Sequence, residues 1–365
     1  MGLDFIKSII KSTENEDAKL ADDGVFGDIA GYIDTGSYSL NALLSGSIYQ
    51  GFPSNKRICL AGPSATGKTY YLMQMAKSFL EKEKDNVVVY FDSEGSTTKE
   101  QLVNFGIDVK RFVIIPVSTI EEFRTQAVRV LNAYQDKYGK GAPTKMLLSL
   151  DSLGNLSSKK EVEDVESGDD KRDMTKAQLI RGTFRVIGLK CSILNVPLVI
   201  TNHTYDMVGA YVPTQEISGG AGLKYISDQI VLLSKSKFRD DKNKKEVLGN
   251  IITAKLYKSR QTIENKEVET RLFYDSGLDR YYGLMEIALK HGIFKKVSTK
   301  IELPDGTTCF GKNIIDNPEK YFTDDVLYDL DEACRREFIY QSGGNIKNSD
   351  EEEVVEEKEE ENVAD

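Results

Sequence analysis

The sequence contains no tryptophan, only two histidines and only four cysteines among 365 residues. The cysteines are far apart and form no CxxC pair, which argues against a disulfide framework or a zinc site. Two histidines are too few for a histidine-rich metal site. No apolar run approaches the roughly 18 residues that a membrane span needs, and Asp4 and Lys7 interrupt the N-terminus where a secretory signal would be apolar. We therefore expect a cytoplasmic protein without membrane contact.

Acidic residues outnumber basic ones, and the excess is concentrated at the C-terminus. The formal net charge is −10. The segment from Asp350 to Asp365 holds ten acidic residues and one lysine, so the rest of the chain carries only −1. This composition predicts a disordered acidic tail over residues 346–365 that either keeps the protein soluble or regulates the binding of a polyanion. The overall charge therefore does not exclude a nucleic-acid partner.

Short apolar runs alternate with amphipathic stretches from about residue 56 onwards. This alternation predicts an α/β fold with a mostly parallel sheet and helices on both faces. Ligands bind beyond the carboxyl ends of such strands, so the polar residues after each run are candidates for a functional site. The runs are RICLA (57–61), NVVVYF (86–91), FVIIPV (112–117), KMLLSL (145–150), VPLVIT (196–201) and QIVLL (229–233).

The pattern divides the chain into four parts. Phe5, Ile6, Ile9 and Ile10 recur at helical spacing and predict a short amphipathic helix. Such a helix cannot bury its apolar face alone, so it either folds back on its own domain or docks onto a neighbour. The predicted parts are an N-terminal helix with a linker (1–29), an α/β core (30–278), a small α/β C-terminal domain (279–345) and the acidic tail (346–365).

The segment GPSATGKT, from Gly62 to Thr69, fits the phosphate-binding pattern GxxxxGK[ST] at every position. It follows one apolar run and precedes an amphipathic stretch, which is the context that the motif requires. Lys68 would supply positive charge to the β- and γ-phosphates, and the Thr69 hydroxyl would bind Mg²⁺. The alternative is a chance glycine-rich turn. The predicted nucleotide-binding residues are Gly62, Pro63, Ser64, Ala65, Thr66, Gly67, Lys68 and Thr69.

Three further candidates follow other apolar runs. Asp151 directly follows KMLLSL, at the position where a carboxylate holds Mg²⁺ in P-loop ATPases, although an ordinary strand-ending aspartate is the alternative. Glu94 follows NVVVYF and is a candidate base for the attacking water; Asp92 is its local competitor, and a solvated loop carboxylate is the alternative. His203 or Asn202 would sense the γ-phosphate by a hydrogen bond, unless neighbouring backbone satisfies the histidine.

The ordered series of these stretches resembles the RecA-type strand-exchange recombinases, and most closely the UvsX group of T-even-like bacteriophages. The likeness spans roughly residues 30–340 and implies a RecA-like P-loop ATPase core. It also implies an ATP-dependent DNA recombinase that forms helical filaments on single-stranded DNA and catalyses homologous pairing and strand exchange. The matching stretches are IDTGSYSLNALLSG, AGPSATGKT, VVVYFDSEGS, LLSLDSLGNLSSKKEVED, DMTKAQ, VITNHTYD, SGGAGLKYISDQIVLL, YKSRQ and FYDSGLDRYYGLMEIAL.

The resemblance also implies residue roles. Glu94 would be the base that activates water, and His203 would be the γ-phosphate sensor. Lys258 and Arg260 would reach the ATP of a neighbouring subunit and neutralise charge that develops on its γ-phosphate. Tyr274 would lie near the adenine. The N-terminal helix would dock onto the adjacent subunit.

Two long segments would be the DNA-binding loops, at about 154–174 and 204–222. They hold few basic residues, so we expect phosphate neutralisation to depend also on backbone N–H groups and on the helices behind the loops. Implied partners are single-stranded DNA, homologous duplex DNA, further copies of the chain, a mediator and a single-strand-binding protein, in the host cytoplasm if the source is viral. The candidate loop residues are Lys159, Lys160, Lys171, Arg172, Tyr205, Tyr211, Gly219 and Gly220.

Two other functions stay open from the sequence. A hexameric RecA-fold helicase would share the P-loop and the cations that act on a neighbour's nucleotide. A nucleotide-switched regulatory ATPase would use the P-loop without DNA, and its only support is the acidic composition that the tail already explains.

Overall fold

The computed structural model describes residues 2–168, 175–206, 215–218, 221–240, 243 and 245–340. Among these residues, no helix has both the length and the apolar character to cross a membrane. Part of the predicted DNA-binding set and the predicted tail lie outside the described residues, namely Lys171, Arg172, Tyr211, Gly219, Gly220 and 346–365.

The described strands form three sheets. Their bounds are β1 Tyr32–Ile33, β2 Phe52–Pro53, β3 Arg57–Gly62, β4 Val87–Asp92, β5 Phe112–Pro116, β6 Met146–Asp151, β7 Leu198–Asp206, β8 Gln215–Ile217, β9 Gln229–Arg239, β10 Val247–Ser259, β11 Glu267–Phe273, β12 Gly277–Asp279, β13 Lys295–Val297, β14 Lys300–Glu302 and β15 Thr308–Cys309.

The described residues form α-helices and short 3-10 helices. The α-helices are α1 Gly2–Ser12, α2 Tyr38–Ser45, α3 Lys68–Lys82, α4 Lys99–Phe105, α5 Ile120–Tyr138, α6 Lys159–Ser167, α7 Lys176–Ile193, α8 Ala221–Ile226, α9 Leu284–Lys290, α10 Gly311–Asp316, α11 Pro318–Tyr321 and α12 Asp324–Phe338. Short 3-10 helices span Ala21–Asp23, Val109–Arg111 and Leu153–Asn155.

All six predicted apolar runs are strands of the central sheet. The strands β5, β4, β6, β7, β3 and β9 lie side by side in that order and run parallel. The strands β10, β11 and β12 extend the sheet in antiparallel fashion beyond β9, and β8 pairs antiparallel with β7. The prediction of a mostly parallel sheet is confirmed. Its register aligns Gly62 with His203 and Asp92 with Asp151, and we call this edge of the sheet the carboxyl edge.

Helices cover both faces of the sheet, as predicted. Successive residues of β3 point to opposite faces: Leu60 joins one hydrophobic cluster, and Cys59 joins the other. The first cluster includes α2 and α3, and the second includes α5 and α7. We expected β5 to be buried, but among the described strands it is an edge strand, with a neighbour on one side only. It leaves Val113 and Ile114 exposed.

The segment after β12 packs against the core. Asp331 of α12 is buried, and its Oδ1 accepts hydrogen bonds from Ser47 Oγ at 2.6 Å and from the backbone N–H of Ile48 at 2.8 Å. Leu330 of α12 belongs to the same hydrophobic cluster as Leu44 of α2. The helix α12 is therefore fixed to the core by apolar and polar contacts. A domain boundary near residue 279 stays a prediction.

Glu337 of α12 is a buried acceptor for three basic groups. Its Oε2 lies 2.6 Å from His291 Nε2, and its Oε1 lies 3.2 Å from Lys266 Nζ and is also hydrogen-bonded to Lys290 Nζ. Burial acts to raise the pKa of Glu337, but the hydrogen bonds from Lys290, His291 and Lys266 outweigh burial and lower this pKa to about 2. These contacts join α9, α12 and the turn before β11.

Replacing Glu337 with glutamine is expected to lower the free energy of unfolding by about 2 kcal/mol at pH 7. The folded-state pKa lies below the unfolded value, so this stabilisation is present above about pH 4.5 and is lost as the pH falls towards 2. Urea unfolding at pH 7, 5 and 4 measures the difference. The control Glu332→Gln removes an exposed carboxylate of the same helix and should change stability little. A difference for Glu337→Gln that is independent of pH would contradict the assignment.

Candidate nucleotide site

The glycine-rich segment connects β3 to α3 at the carboxyl edge, as the motif predicted. Ala65 and Gly67 have positive φ values of 59° and 86°, so the backbone turns sharply just before α3 begins. A Cβ atom on Gly62 would lie 2.4 Å from the carbonyl oxygen of Leu233, which leaves room only for glycine. The loop therefore ends at the N-terminus of α3, and a helix N-terminus that follows a glycine-rich loop is a setting that favours phosphate.

Lys68 lies inside this loop. Its Nζ donates to the carbonyl oxygens of Gly62 at 2.9 Å and Pro63 at 2.8 Å. Burial lowers the pKa of Lys68, and the nearby carboxylates of Asp151 and Glu94 oppose that shift. The ammonium group is therefore held by the loop and feels the charge of two carboxylates.

Thr69, in the first turn of α3, and Asp151, at the end of β6, are in contact through their side chains. The Thr69 hydroxyl donates to Asp151 Oδ2 at 2.7 Å, and the Tyr90 hydroxyl donates to the same oxygen at 3.0 Å. The Thr201 hydroxyl donates to Asp151 Oδ1. Burial and the charge of Asp151 raise the pKa of Tyr90, which keeps Tyr90 a donor. A hydroxyl and a carboxylate are oxygen ligands of the kind that Mg²⁺ prefers, so this pair fits the predicted Mg²⁺ site.

Glu94 and His203 are neighbours on the same edge. Glu94 Oε1 accepts hydrogen bonds from Ser152 Oγ and Asn155 Nδ2, both at 3.1 Å, and lies 3.6 Å from His203 Nε2. The two side chains are 31% and 25% exposed. The candidate base and the candidate sensor are therefore adjacent, and both are partly open to solvent.

Local contacts distinguish these residues from their competitors. Asp92 is buried, and its Oδ1 accepts the backbone N–H groups of Glu94 and Gly95 at 2.9 and 2.8 Å, so its carboxylate closes a turn. The buried Asn202 side chain donates to the carbonyl of Ser218 and accepts the N–H of His203. These bonds engage Asp92 and Asn202, and they leave Glu94 and His203 as the better placed candidates.

The sequence did not single out the residues that hold the two carboxylates. Ser152 and Asn155 orient Glu94, while Tyr90 and Thr201 orient Asp151. A signal exists only for Tyr90 and Thr201, whose hydroxyls interrupt otherwise apolar strands.

Tyr274 lies just beyond β11 and is 66% exposed. Two residues before it, Leu272 borders the P-loop, because its Cδ2 would lie 3.9 Å from a Cβ atom placed on Gly67. The Tyr274 hydroxyl lies 3.4 Å from Asn250 Nδ2. This location beside the P-loop is compatible with the expected contact to a base, which stays a prediction.

Lys258 and Arg260 lie at the opposite edge of the sheet. Ser259 pairs with Gln229 at the start of β9, and Gln229 pairs with Ile58 near the start of β3. The P-loop begins at the other end of β3, which is about 16 Å long from Arg57 to Gly62 at strand spacing. The structure therefore does not bring these cations to the nucleotide site of their own chain.

The two predicted DNA segments are less irregular than expected. Residues 159–167 of the first segment form α6, because Ser158 and Glu161 make a reciprocal capping box. The sequence pattern SxxE, from Ser158 to Glu161, is the local signal for this helix start. Lys159 and Lys160 therefore lie in the first turn of a helix. In the second segment, β7 and β8 form an antiparallel pair, with Thr204 opposite Ile217, and Tyr205 is exposed.

A basic groove of about 580 Å³ lies beside α6. Its cationic side chains come from three helices, and one carboxylate, Glu121, also lines it. The helices behind the first segment therefore carry positive charge, and their expected part in phosphate neutralisation stays a prediction. The cations are Arg124 of α5, Lys160 of α6, and Arg181 and Arg185 of α7.

The chain matches one family model and is similar to several curated proteins. The family of the RecA N-terminal domain matches residues 18–279. The recombination and repair protein of Enterobacteria phage T4 is 32% identical over 257 residues, which cover 70% of this chain and 63% of that protein. Protein RecA of Paenarthrobacter aurescens is 22% identical over 293 residues, 79% of each chain. Protein RecA of Allorhizobium ampelinum is 26% identical over 265 residues, 72% of this chain and 68% of that protein.

Proposed function

This chain belongs to the family of the RecA N-terminal domain, and from that premise we propose that it is an ATP-dependent DNA recombinase. ATP would bind between subunits of a helical filament on single-stranded DNA, and the filament would pair that strand with a homologous duplex and exchange strands. The main observation behind the proposal is that the candidate catalytic residues lie at two opposite edges of the sheet. The phosphate loop, the Mg²⁺ pair and the candidate base share one edge of the sheet, while the candidate cations lie at the opposite edge.

Hydrolysis would use the chain's residues in fixed roles. Lys68 and the loop N–H groups would bind the phosphates, and Mg²⁺ held by Thr69 and Asp151 would neutralise phosphate charge. Glu94 would accept a proton from the water that attacks the γ-phosphorus, as the bond from that phosphorus to the bridging oxygen breaks. The bonds from Ser152 and Asn155 support this role because they aim one carboxylate oxygen.

The proposed role of Arg260 requires self-association, because Arg260 and the P-loop lie at opposite edges of the sheet in one subunit. A contact between Arg260 and a nucleotide requires a second subunit whose carboxyl edge faces it, which is a head-to-tail interface. Such an interface makes an open helix when its rotation does not close. The helix α1 leaves Phe5, Ile6 and Ile9 exposed at 67%, 38% and 46%, which supports docking onto a neighbouring subunit.

Single-stranded DNA would follow the basic groove and the two segments beside it. Four cations in the groove offer charge to phosphates without reading bases, which suits binding that tolerates any sequence. The exposed Tyr205 offers a stacking surface for a base. Lys171, Arg172, Tyr211, Gly219 and Gly220 remain candidates from the sequence.

The experiment combines an ATPase assay with electron microscopy. We expect single-stranded DNA to raise ATP turnover at least tenfold, and a slowly hydrolysed ATP analogue to produce open helical filaments on that DNA. Joint molecules should form with a homologous duplex and not with a heterologous duplex of equal length. Closed rings would instead indicate the hexameric helicase, and hydrolysis indifferent to DNA would indicate the regulatory ATPase.

A further inference from the structure

Asp228 is a buried carboxylate between α8 and β9, at the edge of the sheet opposite the P-loop. Its Oδ2 accepts the backbone N–H of Arg57 at 2.9 Å and Arg57 Nε at 2.7 Å, and its Oδ1 accepts Arg57 Nη2 at 3.0 Å. Oδ1 also accepts Arg260 Nη1 at 3.3 Å. The Asp228 side chain is 4% exposed, whereas that of Arg260 is 52% exposed. A buried anion thus stands directly behind an exposed cation.

Arg260 has a second anchor at the end of α8. Its Nη2 donates to the carbonyl of Tyr225 at 3.2 Å. Lys258 Nζ is hydrogen-bonded to the carbonyl of Lys224 and lies 3.4 Å from that of Tyr225. The last carbonyls of a helix lack partners within the helix, and cationic side chains satisfy them well. Because α8 begins at Ala221, inside the second predicted DNA segment, its displacement would move both cations.

Backbone hydrogen bonds tie the same residue to β3. The N–H of Asp228 donates to the carbonyl of Arg57 at 2.9 Å, and the N–H of Arg260 donates to the carbonyl of Asp228 at 3.1 Å. The strand β3 begins at Arg57 and ends at the P-loop. One end of β3 therefore leads into the P-loop of its own subunit. The other end is bonded through Asp228 to Arg260, which would complete the nucleotide site of the next subunit.

We propose that Asp228 is the positioning residue that holds Arg260 in the geometry needed to reach the nucleotide of a neighbouring subunit. This inference rests on the proposed function. A long exposed arginine loses conformational entropy when it binds a phosphate. Because the bond to Asp228 already restricts the Arg260 side chain, less entropy is lost when Arg260 binds. The planar guanidinium has five N–H groups, so it can give one from Nη1 to Asp228 and one from Nη2 to the Tyr225 carbonyl and keep the other three for a phosphate.

Replacing Asp228 with asparagine keeps the shape and removes the charge. We expect kcat of the DNA-stimulated ATPase to fall at least tenfold, with less than a threefold change in KM for ATP. A matched control, Arg57→Gln, removes the other partner of Asp228 and keeps the Asp228–Arg260 pair. It should retain kcat within threefold. Equal losses in both variants would indicate a packing role for Asp228 and overturn the proposal.

Mixed filaments separate positioning from misfolding. Asp228→Asn subunits keep their own P-loop and Glu94, whereas Glu94→Gln subunits keep a correctly held Arg260. In a one-to-one mixture, an interface is competent when an Asp228→Asn subunit supplies Glu94 and the adjacent Glu94→Gln subunit supplies Arg260. Random mixing makes about a quarter of the interfaces in a head-to-tail filament competent, whereas each variant alone has none. We expect turnover well above that of either variant by itself. Turnover equal to the average of the two separate variants would refute the cross-subunit role.

A second variant covers the case in which Asp228→Asn does not fold. The double change Arg57→Gln with Asp228→Asn removes the buried cation together with its partner, which avoids an unpaired charge. It should fold, show the same loss of kcat and respond to Glu94→Gln subunits. If the wild type itself ignores DNA and forms no filament, the proposed function fails. If the wild type behaves as proposed and the Asp228 variants match it, only the positioning role fails.

Discussion

Replacing Lys68 with alanine is expected to lower ATP turnover by about a thousandfold, because it removes a buried positive charge from the point where the phosphates would bind. Its ammonium group donates to two carbonyls of the loop, and the charges of Asp151 and Glu94 act on its pKa. Without that charge, only the loop N–H groups and Mg²⁺ would offset the repulsion between the triphosphate and the carboxylates of Asp151 and Glu94. Nucleotide affinity should therefore fall together with turnover.

The measurement is ATP turnover and binding of a fluorescent ATP analogue, each with and without single-stranded DNA. The control Lys84→Ala removes an exposed lysine just beyond α3 and should leave both unchanged. Because ATP would hold subunits together, the Lys68 variant should also lose filaments that depend on nucleotide. Normal turnover in the variant would remove the P-loop from the proposed function.

Replacing Glu94 with glutamine is expected to stop turnover, with a loss of about a thousandfold, and to preserve nucleotide binding and filaments. Glutamine keeps the shape and the bonds that Ser152 and Asn155 make, but it cannot accept a proton from water. Filaments formed with ATP should therefore persist for longer on DNA than wild-type filaments.

Single-turnover hydrolysis and filament lifetime test the role of Glu94. The exposed Glu100 in the first turn of α4 provides a control, and Glu100→Gln should behave like the wild type. Asp92→Asn tests the local competitor. Asp92 closes the turn that holds Glu94, so its replacement should destabilise the protein before it affects chemistry. A fully active Glu94→Gln enzyme would transfer the role of base to another residue.

Much of the site was predictable from the sequence because its parts are contiguous or follow a recognisable strand. The P-loop is a single segment, and Asp151, Glu94 and His203 each come just after an apolar run. In a parallel sheet the ends of such runs meet at one edge, so their proximity follows from the strand pattern. The registers that align Gly62 with His203 and Asp92 with Asp151 agree with that reasoning.

Other parts of the site depend on contacts between distant segments. The hydroxyls of Tyr90 and Thr201 belong to apolar runs, and only the strand order brings them to Asp151. Asp228 reads as an ordinary residue between a helix and a strand, yet it binds Arg57, 171 residues earlier in the chain. Local pattern carries no information on such pairs, because it does not specify which strands are neighbours.

The sequence by itself determined the α/β class, the phosphate loop and the residue types needed for Mg²⁺ and for a base, since local periodicity and one contiguous motif encode them. Only the tertiary structure decided that Glu94 rather than Asp92 has an oriented, accessible carboxylate, and that Arg260 lies on the far side of the sheet from the P-loop. Both decisions depend on strand order and register, which packing of the whole core selects. The candidate P-loop residues and the candidate cations Lys258 and Arg260 therefore lie at opposite edges of the sheet, about 16 Å apart, the length of one strand.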